Sequence, residues 1–122
     1  DPPWVLVPVP LHWRRQQWRW FNQSYEIAKT LGRLRGLRFE HALRRIRDTN
    51  QQTLLSRSER LANLRGAFRL CRRERRLKLV RNQPVLLIDD VFTTGSTVEE
   101  CARVLVEEGG AEKVVVLTVM RG

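Results

Sequence analysis

The chain has 122 residues, enough for one domain with a genuine core, and its 23 Lys and Arg against 13 Asp and Glu leave a net charge of +10. No apolar run approaches the ~20 residues of a membrane-spanning helix, nothing resembles a signal peptide, and two cysteines are too few for a disulfide framework or a complete zinc site. The expected compartment is therefore the cytoplasm, and the expected partners are anions, whether nucleic acid or phosphorylated metabolites.

Trp4 to Val9 is a short apolar strand stopped by Pro8 and Pro10. His12 to Arg19 then reads as an exposed basic loop. Trp4, Trp13, Trp18 and Trp20 interleave with Arg14, Arg15 and Arg19, a composition that suits stacking of single-stranded bases and equally suits tryptophans packed into a core. Asn22 can cap a helix whose stripe is Ile27, Ala28, Leu31 and Leu34, ended by Gly36. Phe39 to Ile46 is a weaker strand candidate. His12 and His41 are the only histidines, and His41, in that possible strand, reads as a structural residue.

Asp48 to Leu55 is polar and turn-like, and Ser56 with Glu59 forms a capping box for a short helix toward Leu64. The whole span from Asp48 to Leu70 lacks a long core pattern, so a mobile loop is expected there. Arg57 and Arg60 would ride on it, and such a loop can close over a ligand and exclude water. The cluster Arg72, Arg73, Arg75, Arg76 and Lys78 reads as a solvated hairpin or strand edge, or as a patch that touches nucleic acid. Cys101 falls on the buried face of a later helix, and both Cys71 and Cys101 are expected to be inert thiols.

The most informative segment is Val85 to Thr97, V-L-L-I-D-D-V-F-T-T-G-S-T. Val85 to Ile88 has no polar alternation, as befits a central parallel strand covered on both faces. Asp89 and Asp90 sit at its C-terminal end, and Thr93, Thr94, Gly95, Ser96 and Thr97 open a helix marked by Val98, Cys101, Ala102 and Leu105. Backbone N–H groups at a helix N-terminus favour an anion. The two carboxylates would repel that anion, so they suit sugar hydroxyls or a magnesium ion instead. Gly109-Gly110 and Lys113 to Met120 complete a strand, helix, turn and strand, a right-handed crossover in an α/β domain. Ligands of such sheets bind beyond the strands' carboxyl ends, near the reversal of strand order. The loop after Val9, with Pro10, Arg14 and Arg15, could face the same ligand, its guanidinium groups matching phosphate oxygens.

The thirteen residues Val85–Thr97 resemble the binding signature of the type I phosphoribosyltransferases. That resemblance implies a type I phosphoribosyltransferase-like fold, a mainly parallel central sheet flanked by helices, binding 5-phosphoribosyl-1-pyrophosphate (PRPP) with magnesium. It implies that Asp89 and Asp90 take the ribose hydroxyls and that Thr93, Thr94, Gly95, Ser96 and Thr97 wrap the 5-phosphate. R-W-F-N-Q at Arg19–Gln23 and the run Thr49–Phe68, with Thr49, Gln52, Leu55, Arg60, Asn63, Gly66, Ala67 and Phe68 matching, look like the ComF/GntX family of competence-associated proteins. One departure is Trp20, where the family usually has glycine.

The family resemblance implies an association with uptake of single-stranded DNA and with competence-machinery proteins. It also implies an N-terminal zinc-ribbon-like segment. The chain opens at Asp1 without Met and stops just after a strand, so it is expected to be a fragment, residues 1–122, lacking that segment. Two functions follow: a phosphoribosyltransferase whose acceptor and general base are not identifiable, or a nucleic-acid-binding accessory of transformation that keeps a non-catalytic or sensory PRPP site. Gln52, Arg57 and Arg60 would belong to the closing loop in the first. Arg72, Arg73, Arg75 and Arg76 would hold nucleic acid in the second.

Overall fold

The computed structural model describes residues 4–10, 23–47, 56–92 and 96–121. Its centre is a four-stranded sheet in the order β2-β1-β5-β6, all pairings parallel, formed by β1 (Val5–Pro8), β2 (Arg38–Phe39), β5 (Pro84–Phe92) and β6 (Lys113–Arg121). The expected parallel sheet is therefore present, with β5 between β1 and β6. The weak strand expected over Phe39–Ile46 divides into β2 and β3 (Leu43–Arg45), interrupted at Glu40–Ala42. β3 leaves the main sheet and pairs antiparallel with β4 (Phe68–Leu70).

Strand alternation distributes the core over both faces of the sheet. Val5, Val7, Val9, Val85 and Leu87 meet Val98, Cys101, Val104 and Leu105 on one face. Leu6 and Ile88 meet Leu31, Leu37, Phe39 and Leu86 on the other, beneath helix α1 (Gln23–Arg35). Val5, Leu6, Val7, Val85, Leu87 and Ile88 are all at most 1% exposed. Each such side chain contributes about 1.5–3 kcal/mol by leaving water, which is why two short strands can anchor a chain carrying +10. Leu34 departs from its expected stripe and is 74% exposed. Asn22, its proposed cap, lies outside the described residues. Gly36, at φ +67°, ends the helix as expected, since a left-handed residue there favours glycine.

Of the span expected to be a mobile loop, residues 48–55 lie outside the described residues, and residues 56–70 form a helix, a turn and a short strand instead. Helix α2 (Arg57–Leu64) starts with the predicted capping box, in which Ser56 Oγ accepts from Glu59 N–H and Glu59 Oε1 accepts from Ser56 N–H. Its last carbonyls are held by Arg47, whose Nη2 donates to Asn63 O at 2.6 Å and to Arg65 O at 3.0 Å. Leu64, Ala67, Phe68 and Leu70 are buried. Periodicity missed them because they come from a helix end, a turn and a three-residue strand, each too short to show a repeat.

Arg72–Leu77 forms a short helix, α3, where a hairpin or strand edge was expected. Cys71 Sγ caps its start, accepting from Glu74 N–H at 3.4 Å. Glu74 turns inward, only 2% exposed, and accepts from Val80 N–H at 2.9 Å, which folds the chain back toward β5. That bond falls on Oε2, while Oε1 is buried without a hydrogen-bond partner among the described residues, so the carboxyl ties the turn through one oxygen only. The helix after the acid pair, α4 (Ser96–Arg103), continues as a wider π turn over Val104–Glu108, closed by Gly109 N–H donating to Val104 O at 3.0 Å. Val98, Cys101 and Leu105 are buried as expected, and Val104 joins them.

Two measurements test these supports. A Cβ at Gly109 would lie 2.7 Å from Leu105 O and 3.0 Å from Val80 Cγ2, so Gly109→Ala should cost about 1–3 kcal/mol in urea unfolding; an unchanged midpoint would show that the turn relaxes freely. Burial pushes the Glu74 carboxyl above its ordinary range, against the backbone donors of Val80 and Leu79 that favour the ionised form. A raised folded-state value means that this carboxyl's stabilising contribution is complete at low pH and fades as pH rises through that value. Thermal melting of the wild type should therefore decline relative to Glu74→Gln as pH rises above the ordinary carboxylate range, and parallel curves would refute the assignment.

Candidate functional site

The arrangement of β1 and β5 decides where a ligand can sit. They pair in register from Val5↔Val85 to Pro8↔Ile88, and Val9 N–H extends the ladder to Ile88 O at 2.9 Å. From β1 the chain crosses to β2 on one side, and from β5 it crosses to β6 on the other. Strand order therefore reverses between β1 and β5. At such a point the two following connections diverge, and a crevice opens at the carboxyl ends.

Asp89 and Asp90 stand on β5 immediately beyond this pairing. The strand does not end at them, as the sequence suggested, but runs on to Phe92 with Val91↔Met120 and Phe92↔Arg121 still in register with β6. Asp89 is half-buried opposite Thr118, and alternation puts it on the Leu87 face, toward α4. Its field reaches Cys101: burial first, and then the Asp89 charge, push that thiol well above its usual value. Cys101 is therefore a protonated, inert core group, as expected.

Helix α4 starts at Ser96, with Thr97 half-buried and Val98 buried in the first turn. Only residues 93–95 separate it from β5. The structure thus brings the acid pair and the N-terminus of an eight-residue helix to the same end of the sheet. Thr93, Thr94 and Gly95 themselves lie outside the described residues, as do Arg14, Arg15 and Gln52. Pro10, half-buried, leads out of β1 at the crevice.

Behind the N-terminal turn of α4, a polar junction joins it to α2. Arg57, the first residue of α2, forms an ion pair with Glu99. Glu100, 5% exposed, accepts from Gly66 N–H at 3.0 Å and from Arg103 Nε and Nη2 at 2.9 and 2.6 Å. Burial alone would raise its pKa, but the Arg103 and Gly66 hydrogen bonds outweigh it and hold the carboxyl below its ordinary value. Gly66, at φ +78°, supplies the left-handed turn that points its N–H at Glu100. Leu61, Ala62, Arg65, Glu99, Glu100 and Arg103 line a cleft of about 490 Å³ at this junction. Sequence reading missed Glu100 and Arg103; their i,i+3 spacing of opposite charges on one helix was the available signal.

Arg57 and Arg60 therefore belong to an ordered helix. The four arginines Arg72, Arg73, Arg75 and Arg76 are exposed on α3, and Arg73 Nη1 is paired with Glu40 Oε1 at 2.7 Å. His41 is exposed beside β3 and meets Phe39 edge-on, ring centroids 5.2 Å apart; partial burial lowers its pKa against the opposing field of Glu40.

Comparison with known proteins agrees with this geometry. A solved hypoxanthine phosphoribosyltransferase from Staphylococcus aureus superposes with a TM-score of 0.55, covering 98% of this chain and 53% of that one; at 15% identity the likeness is one of fold. The DNA utilization protein YhgH of Escherichia coli is 41% identical over 109 residues, 87% of this chain and 44% of that protein. Competence protein ComFC of Bacillus subtilis is 33% identical over 99% of this chain and 46% of its own length, and competence protein F of Haemophilus influenzae is 34% identical over 90% and 47%. The chain thus spans about half the length of the curated relatives it matches. No helix among the described residues is long and apolar enough to cross a membrane. The family described as "Phosphoribosyl transferase domain" matches residues 22–122, so the chain belongs to the phosphoribosyl transferase domain family, with relatives named for competence and DNA utilization.

Proposed function

We propose that this domain binds PRPP with magnesium at the crevice between the carboxyl ends of β1 and β5. The observation that carries the reading is the reversal of strand order at that point, with Asp89 and Asp90 on β5 and a three-residue connection into α4. In this reading Asp89 and Asp90 accept hydrogen bonds from the ribose hydroxyls. Thr93, Thr94, Gly95, Ser96 and Thr97 hold the 5-phosphate with hydroxyls and backbone N–H groups, aided by the helix dipole. The loop after Pro10, with Arg14 and Arg15, serves the pyrophosphate. The donor set fits magnesium, which takes one or two carboxylates and completes its octahedron with water and phosphate oxygens. When bound, the ion would neutralise charge on the pyrophosphate.

The corresponding reaction is displacement of pyrophosphate from the ribose C1 by an acceptor nucleophile. The protein's part is positioning and a fixed electrostatic environment, which together supply most of the acceleration in reactions of this kind. Arg57, held by Glu99 at the base of α4, ties the segment that precedes α2 to the helix that receives the phosphate. Segment 48–55, which contains Gln52 and leads into Arg57 and Arg60, would then cover the ligand. The names of the relatives associate the domain with competence and use of DNA. We assign it to that process in the cytoplasm, where its two free thiols stay reduced.

Isothermal titration of PRPP into the wild type and into Asp89→Asn/Asp90→Asn, each with and without magnesium, tests this reading. The wild type should bind in a magnesium-dependent manner, and the double variant should bind at least about tenfold more weakly, the loss expected for about 1.4 kcal/mol of ribose and ion contacts. A folded wild type that shows no magnesium-dependent heat overturns the assignment.

A further inference from the structure

The face of the sheet beneath α1 is covered only in part. Helix α1 packs over β2, β1 and β5, with Gly32 so close that a Cβ there would lie 3.4 Å from Leu6 Cδ1. Beyond it the sheet continues to β6, where Val115 is in register with Leu86 and Leu117 with Ile88. Alternation puts these four side chains on the same face. Leu86 and Ile88 pack beneath α1, yet Val115 is 45% and Leu117 38% exposed. Leu34, which neighbours Leu31 one turn earlier on α1, is 74% exposed. The flank of α1 forms the wall, and β5 and β6 the floor, of a groove of about 400 Å³ lined by Trp4, Leu31, Leu37, Leu86 and Leu117.

An unbroken apolar run such as V-V-V-L at residues 114–117 belongs to a strand buried on both faces, and parallel sheets carry helices on both. The width of the gap decides what fits. Neighbouring strands lie about 4.8 Å apart and packed helices about 8–10 Å apart, so the floor over β5 and β6 takes one helix beside α1. A broad flat surface is held off by the wall that α1 makes. The rim is cationic: Arg33, Arg35 and Lys113 are exposed, and Lys113 Nζ lies 5.3 Å from the centroid of the Trp4 ring. A second copy docking through the same face would bring one cationic rim against another, whereas a helix with an apolar stripe and neutral or acidic flanks meets no such repulsion. The relatives indicate a source for it, since the matched region is 44% of YhgH and 46% of ComFC. Trp4, at the entry to β1, itself lines the groove, so polypeptide joined ahead of it is delivered to the site without a long linker.

We infer that the groove between α1 and β6 seats an amphipathic helix of the same polypeptide, supplied by a segment outside residues 1–122, which completes the helical layer on this face. Leu34, Val115 and Leu117 are then core residues of the longer protein. This explains why α1 and β6 carry more apolar surface than the sheet and its own helices bury. The inference does not depend on the PRPP site, which lies at the carboxyl ends of β1 and β5.

Photocrosslinking in the full-length natural polypeptide tests it, with a benzophenone amino acid placed at position 34 and, as a control, at position 77, an exposed leucine at the end of α3. Position 34 should give an intramolecular adduct to a peptide outside residues 1–122, and position 77 should not give that adduct. Leu34→Gln provides an independent readout in the same polypeptide. Glutamine and leucine have similar helix propensity, so at a solvent-facing position the exchange leaves the melting temperature unchanged. Beneath a docked helix it should lower that temperature by at least about 2 °C, with circular dichroism at 25 °C and PRPP titration matching the wild type. An adduct joining two copies, adducts confined to residues 1–122, or an unmoved melting temperature would each overturn the inference, as would a natural product no longer than these 122 residues.

Discussion

The parallel pairing of β1 with β5 is the constraint on which the rest of the structure depends. These strands are far apart in sequence, and their union is specified by burial: Leu6 and Ile88 on one face, Val5, Val7, Val85 and Leu87 on the other. Strands covered on both faces must be apolar throughout, which both are until the chain reaches Pro10 on one and Asp89 on the other. The polar groups begin where the hydrophobic cover stops. The crevice is thus a direct consequence of where two apolar runs end side by side.

The second element of the architecture is the junction between α2 and α4. A helix of eight residues is marginal alone, and α2 is stabilised by a capping box at its start, by Arg47 on its last carbonyls, and by Leu64 in the core. Glu100 then fixes the turn that follows it through Gly66. An uncompensated buried carboxylate would be costly, but here a guanidinium and a backbone N–H surround it. The result is that the helix beginning at Ser96 is braced laterally by the segment that precedes β4. A phosphate held at that N-terminus would therefore meet a supported helix rather than a freely shifting one.

Charge is divided in the same way as structure. Acids cluster on α4 and its π turn, where Arg103 serves Glu100 and Glu107 at once, while arginines accumulate on the β3–β4 ribbon and α3. A net +10 spread evenly would mean only solubility and weak attraction to polyanions. Part of it is concentrated where the β3–β4 ribbon sets Arg44 and Arg69 face to face.

Much of this was legible in the sequence, for identifiable reasons. Val85–Ile88 has the unbroken apolar character of a central strand, Ser56 and Glu59 have the spacing of a capping box, and Val98, Cys101 and Leu105 share one helical face; each is a local pattern with a local cause. The run from Val85 to Thr97 also pointed to the family, because strand, acids and loop are contiguous. Other features came only from the tertiary structure. Ala67, Phe68 and Leu70 were read as loop, and Leu64 as the end of a short helix without a core role, because their burial is decided by what covers them and not by any period they keep. Leu34 was read as core and is exposed, since α1 reaches the sheet through its other residues. The place of Glu100 against Gly66, the opposition of Arg44 to Arg69 and the meeting of β1 with β5 each join residues distant in the chain. Local sequence determined the elements and the chemistry at their ends; long-range packing decided which ends meet, because burial rewards contacts that no short stretch of chain can contain.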